Sequence, residues 1–409
     1  MTPKKNPDPE SPIPGISRNV FILAITSFLT DLSSEIIYPL VPLFLTSVLG
    51  APFAVVGLIE GIAESTASIL KVYSGWLSDR MRRRRPLTII GYGISAVAKP
   101  LLAAAFAWPM VLGLRFGDRL GKGIRVAPRD ALIADSSEPS SRGRVFGFHR
   151  AADTAGASLG ALFALAALAL IGERYRTIFL LSAIPGALGV ISLFFIREKK
   201  RDHAHRRLPS LSLSQFDRRF KLFLLASAIF AIGNSSDAFI ILRARDLGLS
   251  ALAAVLAYVI YNLVYSAFSM PAGSLSDRIG RRRVIAAGFF VFSLVYLGFA
   301  LAGSSTAVWP LFTIYGLYMA MTEGVGKAFV SDMAPPKAVG TALGTYYTLT
   351  GVLTFFSSLI AGLLWDAAGP RVPFFFGAGS GLLAMLVLLM AIRQNPAPPA
   401  PVPSRDNPL

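Results

Sequence analysis

Four carboxylates lie in two neighbouring apolar stretches of the chain, Asp31 and Glu35 in the first and Glu60 and Glu64 in the second. The spacing within each pair puts both members on one helical face, one turn apart, and Tyr38 extends the face of the first pair. A later stretch, LRFGDRLGKGIRVAPRDALIAD, brings the opposite sign with Arg115, Asp118, Arg119, Lys122, Arg125, Arg129 and Asp130. Arg115, Arg119 and Lys122 share a helical face, and Asp118, Lys122, Arg125 and Arg129 share an overlapping one. An ion embedded in apolar sequence is costly unless it meets a partner or a wet cavity. Carboxylates placed this way suit the capture and release of a coupling proton. The three clustered bases suit a carboxylate or phosphate on a solute.

Mutual neutralisation is the competing use of these groups, with Asp130 and Asp153 joining the acids that answer Lys71, Lys99 and the basic stretch. As a set, the ions are too many to be structural alone. The second half of the chain is drier. Its ionisable or strongly polar candidates are Asp237, Asn262 (standing where Glu64 stands in the first half), Glu323 and Lys327. Glu323 and Lys327 are one turn apart, in the orientation that favours a salt bridge. Ser235, Ser236 and Asp237 echo Ser33, Ser34 and Glu35, while Phe239, Tyr258, Tyr261, Tyr315 and Tyr346 offer packing or apolar contact. This suggests proton coupling in the first half and substrate contact in the second.

The elements that must hold these groups are membrane spans. Of 409 residues, 54% are hydrophobic and 15% charged, and the mean hydropathy is +0.58, far from a solvated globular surface. Twelve apolar segments long enough to cross a bilayer run over roughly 17–46, 52–77, 86–106, 109–134, 143–171, 178–196, 220–242, 251–275, 284–302, 309–330, 341–365 and 372–392. The formal charge of +17 sits in short loops, not in a groove-sized basic domain, which argues against nucleic acid and for topology and lipid headgroup attraction. With no cysteine, disulfides, thiolate metal sites and thiol nucleophiles are excluded. The bases concentrate after the second, fourth and eighth segments and between 197 and 219, which places both termini in the cytoplasm. Residues 1–16 and 394–409 are proline-rich and read as disordered tails flanking two bundles, 17–196 and 220–393, joined by the linker 197–219.

The halves repeat. GWLSDRMRRRRPL begins at Gly75 and GSLSDRIGRRRVI at Gly273, and Asp135 and Gly147 are answered by Asp332 and Gly344. These loops, together with RFGDRLGKG from Arg115, resemble the major facilitator superfamily over essentially the whole chain outside the tails. Arg82 stands where the first loop pattern has glycine, and Arg119 where the fourth-helix pattern has its first glycine. The resemblance implies an all-α membrane protein of twelve helices in two pseudo-symmetric six-helix bundles, with helices one, four, seven and ten around a central cavity. On that basis Asp31, Glu35, Arg115, Arg119 and Lys122 rank above Glu60 and Glu64, and Arg115 takes the family's role in proton transfer.

The resemblance also implies a cytoplasmic gate, to which Gly75, Asp79, Arg80, Arg83, Arg129, Asp153, Gly273, Asp277, Arg278, Gly280 and Arg281 are assigned. Gly75 and Gly273 allow close helix approach, Asp79 and Asp277 face a helix N-terminus across the halves, and Gly280 suits a left-handed turn. His149, Arg150 and Asp153 form a polar knot near the gate, with His149 read as a solvated group. The fifth helix keeps Gly156 and Gly160 but has Ala161 in place of the proline common in the family's proton antiporters.

The expected function is secondary active transport of a small organic solute across the cytoplasmic membrane by alternating access, as proton-coupled export. Proton-coupled uptake of an anionic or zwitterionic solute is the alternative, and divalent metal transport a weaker one, since nearby bases oppose a cation. A membrane enzyme or non-transporting sensor is poorer still, because no H-E-x-x-H, G-x-S-x-G or phosphate-binding glycine loop occurs. The expected protein is a monomer in contact with lipid and a small-molecule substrate, with no nucleic acid, cofactor or metal.

Overall fold

A computed structural model describes residues 13, 15–80, 84–137, 142–198, 216–335 and 338–391. The linker and tails assigned above lie almost entirely outside them. All regular structure among these residues is helical. The spans are α1 (Arg18–Val48), α2 (Phe53–Arg80), α3 (Arg85–Ala104), α4 (Trp108–Asp135), α5 (Arg142–Ile171), α6 (Tyr175–Leu193), α7 (Arg218–Asp246), α8 (Ala251–Ile279), α9 (Arg281–Leu301), α10 (Val308–Met333), α11 (Val339–Ala368) and α12 (Val372–Ala391). Ten are long and apolar enough to cross a membrane. The exceptions are α4, which carries the basic stretch, and α10, which carries Glu323 and Lys327.

Local chemistry sets the boundaries. Ser17, Asp217 and Ser250 cap α1, α7 and α8 by accepting from the backbone N–H groups of Val20, Phe220 and Ala253. Gly280 ends α8 at φ +97°, a conformation that disfavours any side chain. Two of the spans are interrupted. Pro39 and Pro42 break α1 at Tyr38 to Leu40, ahead of the π-helical turn Phe44–Val48. A non-helical stretch from Asn234 to Asp237 splits α7 at mid-span, after Gly233.

In the first half α1 packs on α5 and α6, α2 on α4, and α3 on α4 and α6. Each of these pairings recurs six helices later, so the sequence repeat is also a structural one. Close approach is set by glycine: a methyl group on Gly156 would lie 2.2 Å from the Phe28 carbonyl oxygen, and one on Gly160 2.6 Å from that of Leu32. Large apolar side chains such as Leu170 (84% exposed) and Met270 (81%) point away from the bundle, as a lipid-facing surface requires.

The halves meet through α2 against α11 and α5 against α8. Named contacts lie at mid-bundle or at the end remote from the start of α1 and the end of α12. There Asp366 accepts from the N–H groups of Phe53 (3.0 Å) and Ala54 (2.7 Å), Phe53 stacks on Trp365 at 4.5 Å, and Arg245 reaches Glu173 at 3.7 Å. At the opposite, terminal end the pairs Arg84–Asp135 and Arg281–Asp332 stay within one half, and Gly147 and Gly344 have open space around them.

Substituting Gly156→Val is expected to cost about 1–3 kcal/mol by overpacking α1 against α5. Gly147→Ala, with nothing within 4 Å, should leave stability unchanged. Melting curves of the purified variants in detergent check this, and equal loss in both would contradict the packing account.

Candidate functional site

Most of the ionisable groups converge on a cavity of about 100 Å³ whose polar lining includes Asp31, Ser34, Glu35 and Tyr38 from α1, Lys99 from α3, and Arg115, Asp118, Arg119 and Lys122 from α4. The straight part of α1 before Pro39 places Asp31 and Glu35 one turn apart, and the break leaves Tyr38 beneath the guanidinium groups of Arg115 (5.8 Å) and Arg119 (6.0 Å). Gly121 and Gly123 let α4 approach its neighbours: a methyl group on Gly121 would meet the Gly91 carbonyl oxygen at 2.4 Å, and one on Gly123 the Leu70 side chain at 2.5 Å. Arg119, at the position of the missing glycine, projects into the cavity, where no tight helix contact is required.

The arginines are paired. Arg115 Nη2 donates to Glu60 Oε1 at 2.7 Å, with side chains 5% and 2% exposed, and lies 3.9 Å from Asp118. Arg119 meets Glu64 at 3.1 Å. Glu60 and Glu64 do not line the cavity themselves but hold two of its arginines, because α2 packs directly on α4. Lys99 donates to the Thr30 carbonyl oxygen (3.3 Å) and Ser34 Oγ (3.1 Å). It was not singled out as a site residue, although a lysine within an apolar span is itself a signal. Asp31 and Lys122 make no hydrogen bond or ion pair within 4.0 Å among the described residues, and Glu35 meets no base within that distance.

The second half enters through hydrogen bonds. Tyr258 OH donates to Glu35 Oε2 at 3.0 Å, and Ser236 Oγ to Glu60 Oε2 at 3.4 Å. The interruption in α7 frees Ser236 for this contact, and its N–H also donates to Ser358 Oγ at 3.2 Å. Asp237 accepts from Tyr261 and Tyr315, both at 2.7 Å. Asn262 donates to the Tyr258 carbonyl oxygen of its own helix. The lining of this cavity comes from α1, α3, α4 and α5. The aromatics assigned to substrate serve other groups: Tyr258, Tyr261 and Tyr315 bind carboxylates, Phe239 packs near Trp365, and Tyr346 stacks near Phe223. Glu323 and Lys327 form the expected internal pair, at 2.5 Å.

The gate residues divide by half. Arg281 joins Asp277 (3.6 Å) to Asp332 (3.0 Å) inside the second half, and Arg278 is exposed. A methyl group on Gly273 would meet nothing within 4 Å among the described residues, so the expected close approach is not seen among them. Asp277 pairs one turn along its own chain and not with a helix N-terminus across the interface. Arg129 lies between Asp130 (2.8 Å) and Asp153 (3.9 Å), and His149 Nε2 meets Ser27 Oγ at 2.9 Å. His149 is 3% exposed, so it is a buried hydrogen-bonded group and not a solvated one. Gly75, Asp79 and Arg80 are described as helical backbone alone, as is Lys71, and Arg83 lies outside the described residues.

A family model for the Major Facilitator Superfamily matches residues 23–242 and 222–408. The chain belongs to that superfamily. An uncharacterized MFS-type transporter of Methanocaldococcus jannaschii is 38% identical over 91% of this chain and 95% of its own length. The multidrug resistance protein MdtH of Proteus mirabilis is 23% identical over 79% of this chain and 81% of its own. The solved structure of a POT family transporter superposes with a TM-score of 0.78 at 14% identity, covering 91% of this chain and 95% of the other, and shares the fold. This major facilitator chain is accordingly a multi-pass membrane transporter whose buried charges are concentrated in its first six spans.

Removing one member of the buried pair strands the other. Glu60→Met is expected to destabilise the protein by about 3–5 kcal/mol, and adding Arg115→Met should recover most of that loss. A thermal double-mutant cycle measures it, and purely additive losses would contradict the pairing.

Proposed function

We propose that the protein exports a small organic solute across the cytoplasmic membrane in exchange for protons, by alternating access. The observation that carries this reading is the state of the α1 carboxylates. Asp31 and Glu35 line the cavity with no base within 4.0 Å, and Glu35 holds Tyr258 of the opposite half. A proton and a cationic group on a solute compete for the same carboxylate oxygens, and that competition is the physical basis of exchange. Loading at Glu35 also bears on the Tyr258 hydrogen bond, which links site occupancy to the packing of the halves.

The arginine-rich loops support both termini in the cytoplasm. In that orientation the end joined by Asp366, Phe53 and Trp365 faces outward, which supports loading from the cytoplasm, as an exporter requires. The likeness to a protein named for multidrug resistance supports export over uptake. Rocking about the α2–α11 and α5–α8 contacts exposes the site to the other side. The reading requires no bond-making chemistry, cofactor or resident metal, and a single chain contains the whole site.

Proteoliposomes carrying purified protein, screened with small organic solutes under an imposed pH gradient, test the proposal. The wild type should move at least one solute against its gradient, and Asp31→Asn and Glu35→Gln should insert normally while losing gradient-driven flux by about tenfold or more. Unchanged flux in both variants would remove these carboxylates from the coupling. Asp277→Asn, which loosens the Arg281 bridge to Asp332, should alter turnover without altering the order of preferred solutes. A reordered preference would argue against a gating role.

A further inference from the structure

We infer that the cavity selects solutes that carry a positive and a negative charge together, with the ammonium at Asp31 and Glu35 and the carboxylate at Lys122. This rests on the transport reading above and names the substrate class of the same site.

The argument begins with which charges are already matched. Arg115 is held by Glu60 and flanked by Asp118, and Arg119 is held by Glu64. Lys99 is engaged by a carbonyl and a hydroxyl oxygen, and Glu35 by a phenol. Lys99, like Glu35, thus has a neutral partner and no counter-ion within 4.0 Å, and Lys122 is the one ammonium on the cavity wall with no oxygen within hydrogen-bond reach among the described residues. Asp31 is in the same position with respect to donors, and Glu35 has no cation. Unmatched charges of both signs thus face one space of about 100 Å³, which suits a small polar head group.

A low-dielectric chamber penalises any charge left without a counterpart. A simple anion would satisfy Lys122 and add its own charge opposite Asp31. A simple cation would satisfy Asp31 and lie against Lys122. A zwitterion satisfies both groups and brings no net charge into the membrane interior, so the differential favours it over either singly charged relative. The same scheme explains why exchange with protons is possible: protonating Asp31 or Glu35 removes the counter-charge of the ammonium while leaving Lys122 in place.

The test uses full-length purified protein in detergent and reads ligand-induced shifts in melting temperature. The probes are the neutral α-amino acids and their betaines, each beside its amide, which keeps the cation alone, and its deamino acid, which keeps the anion alone. At least one zwitterion should stabilise the wild type, with its amide and its deamino acid binding about thirtyfold more weakly or worse. Lys122→Gln should weaken the zwitterion by a similar factor, and Lys122→Arg, which keeps the charge, should retain most of the binding. If no zwitterion in the panel stabilises the protein, or the singly charged analogues bind as well, or Lys122→Gln binds like the wild type, the inference is wrong. A singly charged solute that exchanges with protons while no zwitterion binds would overturn the inference and leave the transport reading standing. A zwitterion that binds but exchanges with no proton would do the reverse.

Discussion

The guanidinium of Arg115 lies 2.7 Å from Glu60, with both side chains almost wholly buried, and much of the first bundle is arranged to keep such pairs intact. Neither ion is tolerable alone in that environment. Their pairing fixes α2 against α4, and Arg119 with Glu64 repeats the clamp one turn further along. Glycine makes the clamp possible, because Gly123 admits the Leu70 side chain to the backbone of α4. With the arginines matched inside the bundle, the remaining charged groups are left facing the cavity.

The second half contributes little charge to the centre and a set of hydrogen-bond donors instead. Tyr258 and Ser236 each donate to a carboxylate of the first half, and Ser236 is free to do so because α7 is unwound between Asn234 and Asp237. The interface between the halves therefore runs through hydrogen bonds to Glu35 and Glu60. At the remote end the halves are joined by aromatic stacking and by the carboxylate of Asp366 on backbone N–H groups. That join places two backbone donors at the start of α2 on one carboxylate, in the region where a helix N-terminus favours negative charge.

Much of this was legible in the sequence, for physical reasons that also explain what was not. Apolar segments of bilayer length and the turn at Gly280 are local signals, and each led to the observed element. Asp31, Glu35, Arg115, Arg119 and Lys122 stand out as ions in apolar helices, and it is the family resemblance that singles them out as a cavity set. The partner of each was not legible: Glu60 and Arg115 are 55 positions apart, and their meeting depends on which helices pack. Lys99 was passed over because it belongs to no motif. The turn at Asn234 to Asp237 was signalled by Gly233 and the polar run after it, but read as an echo of α1. Gly273 is expected at a tight crossing, and no described atom lies within 4 Å of a methyl group placed there.

The central claim is that occupancy of the α1 carboxylates, by a proton or a solute, biases the rocking of one bundle against the other. The chain lacks cysteine, so two introduced thiols report without interference. Gly147 and Gly344 are repeat-related, lie at the terminal end of opposite halves, and have room for a label. Spin labels at Gly147→Cys and Gly344→Cys, read by pulsed electron resonance in lipid nanodiscs across a pH series, should show the distance distribution shifting with pH in the otherwise unaltered protein. The shift should vanish when Asp31→Asn and Glu35→Gln are added. A distribution that ignores pH, or that shifts equally without the two carboxylates, would contradict the account.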